Sequence, residues 1–248
     1  MPDSYTRIFL LSHMRALTSL AGHILGSHPL VNGYFEMHVS YEDGMSRPRQ
    51  LEVLQESESL KTGSRYIFDK LLHNDYRLDL EQAGLADCKI LVALQEPAHS
   101  IKSIVDLFSR KQTDELYASP LAATDYYIER LQWLADFCSS AKAPYYYYDA
   151  EMFQAAPEVL LARLSGWLEL SPPLAGHYQS FSQTGKAGKG DSSKRIYSGR
   201  IHRTPTDYSH VSVGVAELAR ARKVYEACRT LIVARAKDAV TLPPSAAR

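Results

Sequence analysis

The six residues Lys89–Leu94, KILVAL, are almost continuously apolar. A strand with one wet face alternates, so an unbroken run predicts a central strand of a parallel sheet, covered on both faces. Residues 7–12, Tyr66-Ile67-Phe68 and Tyr145–Tyr148 read as further short strands. Helical spacing lies between them. Leu17, Leu20, Ala21, Ile24 and Leu25 predict a helix over 17–27, ended by Gly26 and Pro29. Ser100–Phe108 predicts another. Over 122–141, Tyr127, Leu131, Leu134 and Cys138 share one face, and Pro144 closes the helix. Pro157–Leu168, with Pro157 in its first turn, and a last helix over about 213–237 complete the set. Val31–Val39 reads as loop and short strand. Residues 42–60 read as a surface excursion with a weak helical stretch near Leu51–Leu54, and 182–204 as polar and aperiodic. Strands alternating with helices predict an α/β fold, a parallel β-sheet flanked by helices.

Composition narrows the function. A chain of 248 residues holds one large α/β domain or two small ones, and we expect a single domain over 1–248 with a flexible tail at 241–248. Its 28 basic residues balance 28 acidic ones, which argues against a nucleic-acid binder and makes any anion site local. Cys88, Cys138 and Cys228 lie far apart without metal-ligand spacing, so no metal is expected and a reducing, cytoplasmic setting is. The apolar runs are too short and interrupted to span a membrane, and Ile8–Leu11 reads as a first strand rather than a signal peptide.

The first strand runs into Ser12-His13-Met14-Arg15-Ala16-Leu17-Thr18-Ser19 and then the first helix. Strand, loop and helix in this order set backbone N–H groups against an anion. Arg15 can offer a planar fork, Ala16 and Leu17 their N–H groups, and Thr18 and Ser19 their hydroxyls. The loop lacks the GK[ST] element of a Walker A motif. The plainer reading is that Thr18 and Ser19 only cap the helix. Beyond it come Ile24-Leu25-Gly26-Ser27-His28-Pro29 and Gly33-Tyr34-Phe35-Glu36-Met37-His38.

This order resembles the sulfotransferases that use 3′-phosphoadenosine 5′-phosphosulfate (PAPS): a strand, a loop rich in Ser and Thr, a helix ending near a His-Pro step, then an acid. The resemblance covers roughly 7–204 and implies a P-loop-like sulfotransferase fold. The family's usual glycine falls at Leu17, so the loop cannot copy the usual path if that path needs a residue without Cβ. In the family an Arg and a Ser eight residues later hold the cofactor's 3′-phosphate. Here those positions are Gln95 and Ser103, with Pro97 between them; Gln95 brings no charge, and Lys102 is one candidate substitute. A late glycine-rich loop closes the family's cofactor pocket, and Lys186, Gly188 and Lys189 resemble it loosely.

The resemblance further implies sulfuryl transfer to a hydroxyl or amine of a small-molecule, lipid or carbohydrate acceptor, with PAPS as co-substrate. Glu36 is the first candidate for the base that takes the acceptor proton, and His38 and His73 are its rivals. Lys70 is placed to neutralise charge on the leaving oxygen. Tyr41, Tyr117, Tyr126 and Tyr127 are candidates for an acceptor pocket. Two other readings stay open at this point: a nucleotide kinase, and a sulfotransferase-like protein that binds nucleotide without catalysis. The acceptor and the oligomeric state are not legible.

Overall fold

The computed structural model describes residues 4–111, 116–186 and 194–243. Six strands, β1 (Thr6–Leu11), β2 (Val31–Asn32), β3 (Tyr66–Leu71), β4 (Lys89–Leu94), β5 (Tyr145–Asp149) and β6 (Asp238–Val240), form one sheet. Their order is β2-β3-β1-β4-β5-β6, and every pairing is parallel. The expectation for KILVAL holds: β4 lies inside the sheet and Ile90–Leu94 are buried.

Among the described residues, seven α-helices cover the two faces. Alternation along β1 sends Ile8 and Leu10 to one face and Phe9 and Leu11 to the other. The first face packs α1 (Thr18–Gly26), α5 (Met152–Ala155) and α6 (Pro157–Trp167). The second packs α2 (Ser46–Ser57), α3 (Pro97–Ser109), α4 (Pro120–Ser140) and α7 (Val215–Arg235). Gly22 of α1 lets the following segment pass close, since a Cβ there would stand 2.2 Å from the Tyr34 carbonyl oxygen. A half-buried ion pair joins α7 to the end of β5. Arg229 of α7 donates from Nε and a terminal nitrogen to Asp149 at 2.8 and 2.6 Å, and Tyr147 and the Leu242 amide donate to the same carboxylate.

Two expectations need correction. Residues 42–60 contain the full helix α2, of which only a weak stretch near Leu51–Leu54 was legible, because its buried stripe, Ser46, Gln50 and Leu54, is two-thirds polar. Helices α3 and α4 begin at Pro97 and Pro120, earlier than apolar spacing indicates, because Glu96 and Ser119 cap them and proline suits a first turn. The last helix, expected over about 213–237, is found at Val215–Arg235, and beyond it Asp238–Val240 add a sixth strand that had not been expected. The Leu242 amide is bound to Asp149, and residues 244–248 of the expected tail lie outside the described residues. Among the described residues no helix is long and apolar enough to cross a membrane.

Candidate functional site

Parallel pairing brings the carboxyl ends of β1, β3, β4 and β5 to one edge of the sheet. Ligands of open α/β sheets bind at that edge. The register Leu10↔Lys70 and Leu11↔Leu71 sets the loop after β1 directly beside the end of β3.

That loop is built from unusual backbone. Arg15 and Leu17 have φ of 67° and 54°, in the left-handed region where a side chain costs about 1–2 kcal/mol. Leu17 therefore makes, under strain, the step that glycine would make freely. It is also the N-cap of α1 and supplies no side-chain cap. The simple capping role for Thr18 and Ser19 is therefore not what the helix start shows. Left-handed steps feeding an uncapped helix N-terminus form a concavity suited to an anion.

Helix α4 fixes this loop from behind. Arg130 is fully buried and donates to the carbonyls of Ser12 (2.8 Å) and Leu71 (2.6 Å) and to Asn74 Oδ1 (2.9 Å). Burial pushes its guanidinium down to about 10. Tyr126, one turn earlier, accepts from the Met14 amide and donates to the Leu72 carbonyl. Tyr127 donates to the Gln95 carbonyl at 2.6 Å. His13 donates from Nδ1 to the Met14 carbonyl and accepts the Gln95 amide at Nε2, which fixes a neutral tautomer. Burial, the largest cause, pushes that imidazole down to about 4.

Two cavities meet at the loop and share Arg15, Leu17 and Leu20. The larger, about 600 Å³, is walled by Ser103, Arg195, Arg200, His202 and Tyr208 among others. Ser103 is buried there; its Oγ accepts from Arg15 Nε at 2.9 Å and donates to Tyr208 Oη at 2.8 Å. Arg195 donates to the Thr204 carbonyl, and neither Arg195 nor Arg200 has a carboxylate partner among the described residues. Arg110, on the same wall, is neutralised by Asp106.

The smaller cavity, about 300 Å³, gathers Thr18, Ser19, Glu36, His38, Lys70 and His73 at its polar end. Leu107, Phe108 and Tyr117 form an apolar wall, with Lys111 at 4.1 Å from the Phe108 ring centre. Glu36 and Lys70 are both buried, and Lys70 Nζ donates to Ser19 Oγ at 3.2 Å. Burial lowers the His73 imidazole below its ordinary value, and the Glu36 carboxylate opposes that shift. His38 is strained at φ 56° and stacks on Tyr76.

The structure thus brings Arg15, Leu17, Thr18, Ser19, Ser103, Glu36, Lys70 and His73 to one connected space. The Ala16 side chain is core, so only its backbone belongs to the turn. Gln95 lines neither cavity; its backbone is held by His13 and Tyr127 and its side chain is buried. Lys186 is exposed and lines neither, and Gly188 and Lys189 lie outside the described residues. Lys102, too, is absent from both walls. Of the four tyrosines, only Tyr117 reaches the smaller cavity; Tyr41, Tyr126 and Tyr127 are buried hydrogen-bonding residues. Sequence reasoning missed Arg195, Arg200 and Arg130. The first two sit in an aperiodic polar stretch that carried no signal. Arg130 had one: it lies three residues after Tyr127 and four before Leu134, on the apolar face of α4.

No protein-family model matches the chain, and no curated protein matches it. Solved structures do. The sulfotransferase domain from the curacin biosynthetic pathway aligns with a TM-score of 0.60 at 16% identity, over 90% of this chain and 98% of that one. Mouse sulfotransferase SULT7A1, solved as a complex with PAP, aligns with a TM-score of 0.51 at 11% identity, over 92% of this chain and 90% of that one. Together with the all-parallel sheet and the helices on both its faces, these alignments show that the chain has the α/β fold of the sulfotransferases.

Proposed function

We propose that this protein transfers a sulfuryl group from PAPS to a hydroxyl or amine of a small acceptor. The observation that carries the reading is the meeting of two cavities at the strained loop. One is rich in cations, and the other holds a carboxylate, a lysine and a histidine. The walls fit a polyanionic nucleotide. Arg15, with the backbone of Ala16 and Leu17 and the hydroxyls of Thr18 and Ser19, would hold its 5′ end. Ser103 would serve the 3′-phosphate. The charge that Gln95 lacks would come from Arg195 and Arg200, which stand on the same wall as Ser103. Lys186, Gly188 and Lys189 enter the proposal as a closing loop through the resemblance alone.

When bound, PAPS supplies the sulfuryl group and a bisphosphate leaving group. The chain supplies the rest. Glu36 takes the acceptor proton, and burial beside apolar walls excludes competing water. Lys70, held by Ser19 on the wall of the smaller cavity, places positive charge where negative charge develops. His73, neutral at pH 7 because burial lowers its pKa, is the second candidate base. The cavity suits a small molecule or the end of a lipid or sugar chain. A cytoplasmic setting is proposed on three unpaired thiols, Cys88, Cys138 and Cys228.

The desulfated 3′,5′-bisphosphate is expected to raise the melting temperature and ATP to do so much less. Equal shifts would sink the assignment. Arg15→Ala is expected to weaken bisphosphate binding by about 1.5–3 kcal/mol, the range for a hydrogen bond to a charged group. Titration calorimetry giving an affinity within about twofold of wild type would remove Arg15 from the phosphate site.

A further inference from the structure

The segment that carries Glu36 and His38 lies outside any helix or strand, and His38 is strained within it. A base on such a segment needs an outside hold. We propose that Asp69 supplies it, as the positioning residue that keeps Glu36 and Lys70 in register across the smaller cavity. The inference rests on the proposed sulfuryl transfer for its catalytic meaning.

Asp69 lies on β3 immediately before Lys70 and is buried. One carboxylate oxygen accepts two amides, from Met37 at 3.0 Å and Lys70 at 2.8 Å. The first follows Glu36 and precedes His38; the second belongs to the lysine itself. A single atom therefore ties the loop of the base to the strand end of the cation. The other oxygen accepts from Tyr41 Oη at 2.7 Å, four residues further along the loop. The segment is thus clamped on both sides of the strained His38. Tyr41 is itself backed by α2 and β1, where Gln50 accepts from Arg7 Nε at 2.8 Å.

Asparagine has one acceptor oxygen, so it cannot take the Met37 and Lys70 amides on one atom and the Tyr41 hydroxyl on the other, and the clamp opens on one side. A carboxyl here is unfavourable when ionised. Burial, its largest cause, raises Asp69 to about 7, and the nearby Glu36 charge adds to the shift. The titratable groups facing it are Glu36 and Tyr41 from the loop, with Arg7 behind Tyr41; from its own strand it meets the Lys70 amide. The sign follows. A raised acid pKa contributes stability fully below the ordinary value of 3.8, and that contribution is lost as pH rises through about 7. Near neutrality the clamp changes charge beside the base. Fold stability gains nothing from that change, whereas a proton-transfer site can use it.

The test is Asp69→Asn in the full chain, with Tyr41→Phe as a second variant that keeps the carboxyl. In Asp69→Asn we expect kcat to fall roughly 10- to 100-fold, the scale of a misplaced catalytic group. KM for PAPS should stay within about twofold and the melting temperature should hold. Tyr41→Phe should show a smaller loss of kcat. In wild type the Met37 and Lys70 amide resonances should titrate together with a midpoint of about 7, and in Asp69→Asn they should not. Unchanged kcat, or loss of kcat, KM and melting temperature together, overturns the proposal. So does the absence of that titration. If wild type binds no bisphosphate and transfers no sulfuryl group while the amides titrate as expected, the clamp stands and the proposed reaction falls.

Discussion

Glu36→Gln is expected to lower the rate of sulfuryl transfer about 10²–10⁴-fold, the usual contribution of a positioned general base. Glutamine keeps the length and nearly the shape of the side chain, so the acceptor cavity should survive. What it loses is the capacity to take the acceptor's proton as the new bond to sulfur forms. Glu36 lines only the smaller cavity, whereas Arg15, Leu17 and Leu20 line both. Affinity for the desulfated bisphosphate should therefore be nearly unchanged, and the loss should appear in kcat. Ser103→Ala should show the opposite split, because Ser103 stands on the larger cavity and orients Arg15. The rival is explicit. If Glu36→Gln keeps wild-type turnover and His73→Ala abolishes it, the base is His73. If neither change alters turnover, the acceptor is an amine that arrives unprotonated, or the protein binds nucleotide without transferring sulfuryl groups.

The layered fold was legible because it follows from apolar patterning. KILVAL could be little other than an inner parallel strand, and the helices between the runs showed their period. The pairing of Glu36 with Lys70 in one cavity was legible through the order of motifs, since β2 and β3 are neighbours that end on the same edge. What stayed hidden was polar. Helix α2 buries Ser46 and Gln50 beside Leu54, a stripe no hydropathy pattern reveals. Gln95 sits at the position where the resemblance expects a phosphate-binding arginine, but its backbone serves His13 and Tyr127 instead. The cations Arg195 and Arg200 come from a stretch whose path is set by long-range contacts. Ile196 is buried on the α1 face, and His177 bridges Arg200. Nothing in the sequence singled out Asp69; only the fold shows that three donors converge on it.

The largest loss of stability is expected from Arg130→Met. Methionine matches the stem of arginine and can pack beside Trp133, over which the guanidinium now lies at 4.4 Å. It cannot donate. The Ser12 carbonyl would remain buried without its partner, at roughly 1–3 kcal/mol, and the Leu71 carbonyl would keep only the Ser12 amide, a smaller loss of about 1 kcal/mol. Relief of the buried charge offsets part of this, since burial already pushes the guanidinium down to about 10. The net expectation is about 2 kcal/mol. For a chain of this size that is a fall in melting temperature of roughly 4–8 °C. Arg130→Lys should fall between the two, because a single ammonium cannot span both carbonyls and Asn74 as a planar fork does. The effect should also reach function, because Ser12 opens the loop that carries Arg15 and Leu71 ends the strand that carries Lys70. Bisphosphate affinity should drop even though Arg130 lines neither cavity. A melting temperature within about 2 °C of wild type, with affinity retained, would show that α4 does not hold the two strand ends in place.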